Sequence, residues 1–329
     1  MLSRVAENIY WMSRYVERAD NLARLVWAHQ TELLDITTSS RTEHEWHPLL
    51  EVTSMGDAES DEDVVTYLVS SRKNLDSIFN CIHFARENAR AARDKISSEM
   101  WMEINSLWLD LKEIPVTGQD RSRLICEAVM RSAYQFAGIS TSTLNRADTF
   151  SFAQLGQAIE RADKTSRMVD LPHFLPDGSA GSAWTTMLRA CSAIDVHRSR
   201  YGLAIDEASV TSILLFSSTF PRSFRFSIKL ANHFLRQISG ASAGEYLNQA
   251  ERTAGMLLAR VSFEGVEEIS KLKLHDYIDS LQIDLNQLGG EIANTFFQLK
   301  AEAPARTAEE YLSDQLHTRS RQQQLEDQQ

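Results

Sequence analysis

The sequence predicts an all-α protein, a multi-helix bundle arranged as two pseudo-repeat halves. Three observations support this fold class. The 329 residues include only 13 Gly and 6 Pro, too few turn residues for a fold of many short strands. Apolar residues recur at steps of three and four along most of the chain, which is the spacing of one helix face. One charged motif occurs near residue 17 and again near residue 160, against matching apolar stripes.

The apolar stripes place the helices in order along the chain. The first stripe runs from Leu2 to Val26 and predicts a long helix over residues 2 to 36. Stripes from Leu75 to Ile96 and from Phe152 to Val169 predict two more bundle helices. Six further helices are expected, over residues 99 to 113, 120 to 137, 183 to 204, 221 to 238, 244 to 261 and 273 to 299, with Thr219 a candidate N-cap for the fourth of them. We expect no strand.

Three segments rich in Gly, Pro, Ser and Thr are expected to be loops, at residues 37 to 46, 138 to 149 and 171 to 182. The second one precedes the second copy of the charged motif. It divides a helical domain, residues 1 to 300, into candidate halves 1 to 139 and 140 to 300. The remaining residues are polar and Gln-rich, and such a segment cannot bury enough apolar area to fold by itself. We therefore predict a mobile tail over residues 301 to 329, with a short appended helix as the alternative.

Composition and charge exclude several classes of function. Lys and Arg number 34 against 45 Asp and Glu, and a net charge of -11 disfavours bulk nucleic-acid binding. Cys81, Cys126 and Cys191 lack the short spacings of a zinc or redox site, which favours a reducing, cytoplasmic compartment. The N-terminal sequence is charged throughout, unlike a signal peptide. The most suspicious apolar run, residues 208 to 221, is well short of the ~20 residues of a membrane helix.

The charged motif reads Glu-Arg-Ala-Asp at residues 17 to 20 and again at residues 160 to 163, and an Arg follows each Asp by four residues. At about 100° per residue, its Glu, its Asp and the later Arg share one helix face, while Arg18 and Arg161 project to the side. An internal duplication is the simplest explanation of the repeat. Three interpretations are open: ion pairs on a solvated helix face, a buried ion network between the halves, and a ligand or partner site.

Four segments in this order resemble the bacterial alpha-E family, an all-helical domain named for its Glu-Arg signature. They read RVAENIYWMSRYVERADNLAR near the N-terminus, ARENARAARDKIS from Ala85, LGQAIERADKTSR from Leu155 and FPRSFRF from Phe220. The resemblance covers about residues 1 to 300. The residues that it marks as candidates for partner or ligand binding are Glu17, Arg18, Arg24, Arg86, Glu87, Arg90, Glu160, Arg161, Arg167, Arg222 and Arg225.

The resemblance also implies a cellular context. Alpha-E proteins are typically encoded beside a circularly permuted ATP-grasp protein and a transglutaminase-like cysteine peptidase, a pairing that implies peptide or amide-bond synthesis or modification. We therefore expect a non-catalytic adaptor or scaffold that binds these two proteins or presents their peptide substrate. The alternative is an enzyme or substrate-binding subunit, in which Glu17 and Glu160 act as acid and base. In that case an Arg clamp of Arg86, Arg90 or Arg222 holds a carboxylate. That alternative requires the two carboxylates to lie in a cleft with raised pKa values.

Neither a metal nor a cofactor is expected. A carboxylate-bridged metal pair in a helical bundle uses Glu-x-x-His, and Asp20 and Asp163 stand where the ligand His would lie. Asp170 and His173 are three apart but run into a Pro-containing loop. The sequence has no Gly-rich phosphate loop, so ATP binding by this chain alone is not expected. The three cysteines are interpreted as core residues, and the aromatic cluster Tyr10, Trp11, Tyr15 and Trp27 as core or, alternatively, a partner contact.

Overall fold

The order of helices follows the apolar stripes closely. A computed structural model describes residues 1–35, 46–53, 61–114, 120–175, 180–242 and 244–298. Within these ranges it contains 14 α-helices and no strand, which confirms the all-α class. The helices are α1 (Ser3–Asp35), α2 (His47–Thr53), α3 (Asp61–Val69), α4 (Ile78–Ala91), α5 (Ser98–Glu113), α6 (Arg121–Thr143), α7 (Asp148–Val169), α8 (Ala180–Ala190), α9 (Ile194–Tyr201), α10 (Glu207–Leu214), α11 (Phe224–Ser239), α12 (Gln249–Phe263), α13 (Val266–Lys271) and α14 (Leu274–Ile292). A 3-10 turn, Leu171–Phe174, follows α7, and a π-helical turn, Ala293–Phe297, follows α14.

Helices α1 and α7 form the centre of the bundle. They pack against each other, and α4 packs on α1 while α11 packs on α7. Residues Met1–Phe297 form one compact unit. The division into halves at residue 139 stays a prediction, and the predicted tail over residues 301 to 329 lies outside the described residues. Within the described part of the chain, no helix combines the length and apolar character that crossing a bilayer requires.

The expected loop at residues 138 to 149 is mostly wrong. Helix α6 continues to Thr143 and α7 begins at Asp148, so only residues 144 to 147 connect them. Two of the Ser and Thr residues that suggested a loop satisfy their hydroxyls inside the helix. Ser140 donates to the carbonyl of Ala137 and Thr143 to that of Ile139, the back-bonding that lets these residues remain helical.

Other differences lie at helix ends and in short helices. The helix predicted over residues 183 to 204 is interrupted at Ser192, whose φ of 54° lies in the left-handed region. Ser223, and not Thr219, caps α11, because its hydroxyl accepts from the backbone N–H of Phe226. Four helices of nine residues or fewer were not predicted, α2, α3, α10 and α13. They are too short for an apolar period to be recognised.

The segments that precede α4 and α11 make matching contacts. The N-cap hydroxyls of Ser77 and Ser223 donate to the carbonyls of Ser71 and Ser217, each six residues earlier. Each hydroxyl also accepts from a backbone N–H three residues later. The segments thus place Asp76 and Arg222, each one residue before its cap, beside the charged motif of α1. This correspondence is compatible with an internal duplication, which stays a prediction.

Helices α1 and α7 approach closely at Gly156. A Cβ at this position would lie 2.3 Å from the backbone carbonyl oxygen of Tyr10. We expect Gly156→Ala to lower the free energy of unfolding by about 1 to 3 kcal/mol or more, because the clash is with backbone and the helices must separate. Urea denaturation followed by circular dichroism measures this change.

Gly138 provides the matched control for that substitution. It lies exposed within α6, and a Cβ there would meet no atom within 4 Å. Gly138→Ala is therefore expected to raise the free energy of unfolding by up to about 1 kcal/mol through helix propensity. Equal effects of the two substitutions would contradict the close approach of α1 and α7.

Candidate functional site

The Glu residues of the two charged motifs are buried in the contact between α1 and α7. Glu17 is 3% exposed and Glu160 is 0% exposed. Buried carboxylates are rare unless cations or donors satisfy them, because removing an ion from water costs several kcal/mol. The interpretation of the Glu-Arg pairs as solvated surface pairs is therefore wrong for both glutamates.

The two motifs exchange partners between the helices. Arg161 of α7 donates through Nε and Nη2 to the two carboxylate oxygens of Glu17, at 2.7 and 2.8 Å. Arg18 of α1 donates through the same two nitrogens to the two oxygens of Glu160, at 2.6 and 3.2 Å. Both contacts are two-pronged, the strongest arrangement of a guanidinium with a carboxylate. The Glu of each motif is thus bound by the Arg of the other motif. This arrangement is the buried ion network between the two helices.

Further donors complete the shell around each carboxylate. Glu17 accepts from Gln157 and Asn21, both at 3.1 Å, and Arg222 lies 3.7 Å from it. Glu160 accepts from Arg14 Nε at 2.7 Å, and Lys164 Nζ lies 3.9 Å from it. Each carboxylate therefore has more than one cation around it.

The cations decide the protonation state of both glutamates. Burial alone would raise the pKa of Glu17, but Arg161 and Arg222 outweigh it and lower the pKa to about 2. Burial opposes ionisation of Glu160 as well, yet Arg14, Arg18 and Lys164 hold its pKa well below the ordinary glutamate value. Acid-base catalysis by this pair requires raised pKa values, and the structure has them lowered.

The Asp of each motif and the Arg four residues later form a pair in both helices, but the two pairs differ in burial. Arg24 Nε lies 2.9 Å from both oxygens of Asp20, and both side chains are buried. Arg222 Nη2 donates to the same aspartate at 2.5 Å. In α7, Arg167 and Asp163 pair at 3.0 Å with side chains 22% and 14% exposed. The first pair is part of the buried core, while the second lies at its accessible edge.

The remaining predicted arginines form ion pairs or hydrogen bonds with other groups of this chain. Arg86 and Arg90 both bind Glu87, at 2.8 and 2.6 Å, on the outer face of α4. Arg225 donates to the carbonyl of Phe216 at 3.3 Å, and Arg222 belongs to the buried network. The predicted clamp of Arg86, Arg90 and Arg222 is therefore not an open set of guanidinium groups.

An open cleft of about 500 Å³ lies beside Glu160, between α1, α7 and α14. Four cationic side chains line it, Arg14, Arg18, Lys164 and Arg167, together with the acidic Glu7, Asp76 and Asp163. Trp11 and Tyr10 form an aromatic wall, and the Arg14 guanidinium lies 4.7 Å from the Trp11 ring centroid. The cleft offers both charge and aromatic surface to a ligand or partner.

Only some of the residues that line this cleft were predictable from the sequence. Arg18 and Arg167 were candidates, and Trp11 was an alternative partner contact. Lys164 was missed, although its place four residues after Glu160 was a usable signal. The wall from α14 and the following turn, including Asn286 and Phe297, had no signal in the sequence, since it depends on which helix packs there.

The three cysteines are buried, as predicted for core residues. Burial raises the pKa of the Cys81 thiol to about 12 and that of Cys191 to about 11. It also raises the pKa of Cys126. A thiolate is the reactive form, so these thiols are poor nucleophiles at neutral pH.

Comparison with known proteins identifies the family. The alpha-E family, described as a predicted alpha-helical domain with a conserved ER motif, matches residues 1–297. Uncharacterized proteins of Mycobacterium bovis and of two strains of Mycobacterium tuberculosis are each 22% identical to this chain over 314 residues. The alignments cover 87% of this chain and 34% of each relative, so the chain spans about a third of the length of the curated relatives it matches. No solved structure matches significantly. The match over nearly all of the helical unit shows that the chain belongs to the alpha-E family.

Proposed function

We propose that this chain is a non-catalytic adaptor or scaffold subunit that acts with an ATP-grasp ligase-like protein and a transglutaminase-like peptidase. The process would be bacterial peptide or amide-bond synthesis or modification. One observation carries the non-catalytic part: both motif glutamates are buried, ionised and saturated by cations and donors. A general base needs a free electron pair and a pKa near the working pH, and neither glutamate has them.

Two observations support a role together with protein partners. The family resemblance implies an ATP-grasp protein and a transglutaminase-like peptidase as neighbours. In addition, about two thirds of each mycobacterial relative lies outside the matching region, so there the alpha-E region is joined to further sequence. A helical domain that adjoins other protein in this way fits an adaptor.

The cleft beside Glu160 is the surface that we assign to partner or peptide binding. Two of its cations are held in place by the buried network, since Arg14 donates through Nε and Arg18 through Nε and Nη2 to Glu160, and both border the cleft. Such fixed side chains lose little entropy when a partner binds. The network thus acts as a rigid base for a binding surface.

A substrate-binding subunit is the second candidate, and the size of the cleft favours it. About 500 Å³ lies within the usual range of small-molecule sites, ~300 to 1,000 Å³. Lys164 and Arg167 at its accessible edge pair with Asp163, at 3.1 and 3.0 Å, and a carboxylate of a peptide or amino acid would share these two cations with it. In this version Glu17 and Glu160 position the arginines and transfer no proton.

Purification from the native cell tests the adaptor proposal. We expect tagged wild-type protein to copurify with an ATP-grasp protein or a transglutaminase-like peptidase, as identified by mass spectrometry. Arg167→Ala, at the cleft, is expected to reduce this recovery about 5-fold or more, a loss of about 1 kcal/mol in binding.

Arg123→Ala is the matched control. Arg123 forms a helical pair with Glu127 four residues away on α6, as Arg167 does with Asp163, and it does not line the cleft. Arg123→Ala should keep the wild-type melting temperature, because a surface pair contributes little to stability. Arg167 and Asp163 are less exposed, so the melting temperature of Arg167→Ala is measured first and recovery is compared at a temperature where both variants are folded. Recovery of neither partner with wild-type protein overturns the adaptor proposal. Equal recovery with both variants removes the cleft as the docking surface.

A further inference from the structure

A second cluster of polar side chains lies where the end of α7 meets α14. Asp170 follows the last residue of α7, His173 lies in the 3-10 turn, and His275 and Asp279 lie one turn apart in α14. His275 Nδ1 lies 2.8 Å from Asp170 Oδ2, and His275 Nε2 lies 3.5 Å from Asp279 Oδ2. One ligand atom each from Asp170, His275 and Asp279 fall within 4.8 Å of one another.

The Asp170 carboxylate is incompletely satisfied. Its side chain is 7% exposed, and its Oδ1 atom is buried without a hydrogen-bond partner among the described residues. A buried carboxylate oxygen without a donor has lost its hydration without a replacement, so such an atom calls for a cation or a proton. This oxygen belongs to the same carboxylate that already contacts His275.

The imidazole of His275 is held in one orientation. It stacks on His173 with ring centroids 3.8 Å apart and planes 3° from parallel. The stack limits rotation of the ring and keeps one nitrogen toward Asp170 and the other toward Asp279. A ligand ring that is held in this way needs little ordering when an ion binds.

We propose that Asp170, His275 and Asp279 bind a divalent transition-metal ion of the zinc class, at a site independent of the proposed adaptor role. Two carboxylates and an imidazole suit Zn²⁺ better than Mg²⁺ or Ca²⁺, which prefer oxygen ligands alone. Asp279 is 56% exposed, so the ion can enter from solvent on that side. Three protein ligands leave the fourth position of a tetrahedral ion open.

Binding of the ion requires a small local movement. Ligand bonds of ~2.0 to 2.1 Å in a tetrahedral zinc site separate the ligand atoms by about 3.3 Å. The 2.8 Å contact between His275 and Asp170 must therefore lengthen by about half an ångström. An ion binds one imidazole nitrogen, and Nδ1 faces Asp170 while Nε2 faces Asp279. For an ion on Nδ1, the exposed Asp279 side chain must therefore also turn from the Nε2 side toward Asp170. The ion then replaces the direct hydrogen bond between His275 and Asp170 and bridges the end of α7 to α14.

No helical motif revealed this group, because its members come from distant parts of the chain. Asp170 and His275 are 105 residues apart in sequence. A Glu-x-x-His pattern reveals only ligands that lie on one helix. The Asp170 to His173 spacing is visible in the sequence, but the contact with His275 of α14 depends on tertiary packing.

Titration of the tag-free full chain with ZnCl₂, after treatment with a chelator, tests the proposal by isothermal calorimetry. We expect saturation at one Zn²⁺ per chain. Asp279→Asn, at an exposed side chain, is expected to weaken binding about 10-fold or more, and His275→Gln at least as much. Mg²⁺ in excess should not compete.

Asp276→Asn is the matched control, since it removes the same charge from the same helix at an exposed residue outside the ligand group. It should change Zn²⁺ affinity less than about 3-fold through the general electrostatic field. The melting temperature of each variant without Zn²⁺ verifies its fold. Absence of binding, or binding at several ions per chain that Asp279→Asn leaves unchanged, overturns the proposal.

Discussion

Glu160→Gln is expected to lower the free energy of unfolding by about 3 to 5 kcal/mol, the cost of leaving buried charges without their partner. Glu160 is fully buried, and Arg14 and Arg18 both donate to it. The amide of Gln matches the carboxylate in shape but carries no charge, and its NH₂ group faces donors. Urea denaturation at pH 7 gives the measurement.

Glu127→Gln is the control for that experiment. Glu127 pairs with Arg123 on the surface of α6 and is 42% exposed, so its replacement should cost less than about 1 kcal/mol. A double-mutant cycle with Arg18→Met should give a coupling energy of about 1 to 3 kcal/mol with Glu160. A loss from Glu160→Gln as small as that from Glu127→Gln would show that the buried network does not stabilise the fold.

The stability of the protein is expected to fall steeply in acid. The folded-state pKa of Glu17 is about 2, against an unfolded value of 4.5. Because the folded pKa is the lower one, the stabilisation is fully present above about pH 5 and is lost as the pH falls toward 2. This one carboxylate contributes about 3 kcal/mol over that range. The pKa of Glu160 is lowered too, so it adds a loss in the same direction.

Urea denaturation at a series of pH values from 7 to 3 measures this dependence. We expect little change from the two glutamates above pH 5 and a growing loss below it. Glu17→Gln should reduce the slope, because the substituted side chain no longer titrates. Carbon-13 NMR of the side-chain carboxyl groups gives the folded pKa values directly. A flat stability profile, or carboxyl pKa values near 4.5 in the folded protein, would contradict the ion network.

The long helices were predictable because their signal is local. In α1, α5 and α7 the apolar residues lie on one face at the helical period, and this period also determines the side that each helix buries. The ends of the helices were less predictable from the sequence than their existence. The break at Ser192 had no sequence signal, and the extension of α6 was hidden by Ser and Thr residues whose hydroxyls bond within the helix.

Within the candidate site, the residue types were predictable but their partners were not. Spacing alone suggested that each Asp pairs with the Arg four residues later, and both pairs exist. Spacing also placed Arg18 and Arg161 to the side of their own motifs. Each of them reaches across to the glutamate of the other helix. This exchange depends on the close packing of α1 against α7 at Gly156.

The sequence by itself determined the all-α class, most of the long helices and the two charged faces, since these follow from interactions between residues a few positions apart. Only the tertiary structure decided that Glu17 and Glu160 are buried and ionised, that α14 closes a cleft beside them, and that Asp170 meets His275. The physical reason is that burial, the pKa of a carboxylate and the membership of a cluster depend on which helices pack together. That choice is made by long-range contacts, and spacing along one helix carries no information about them.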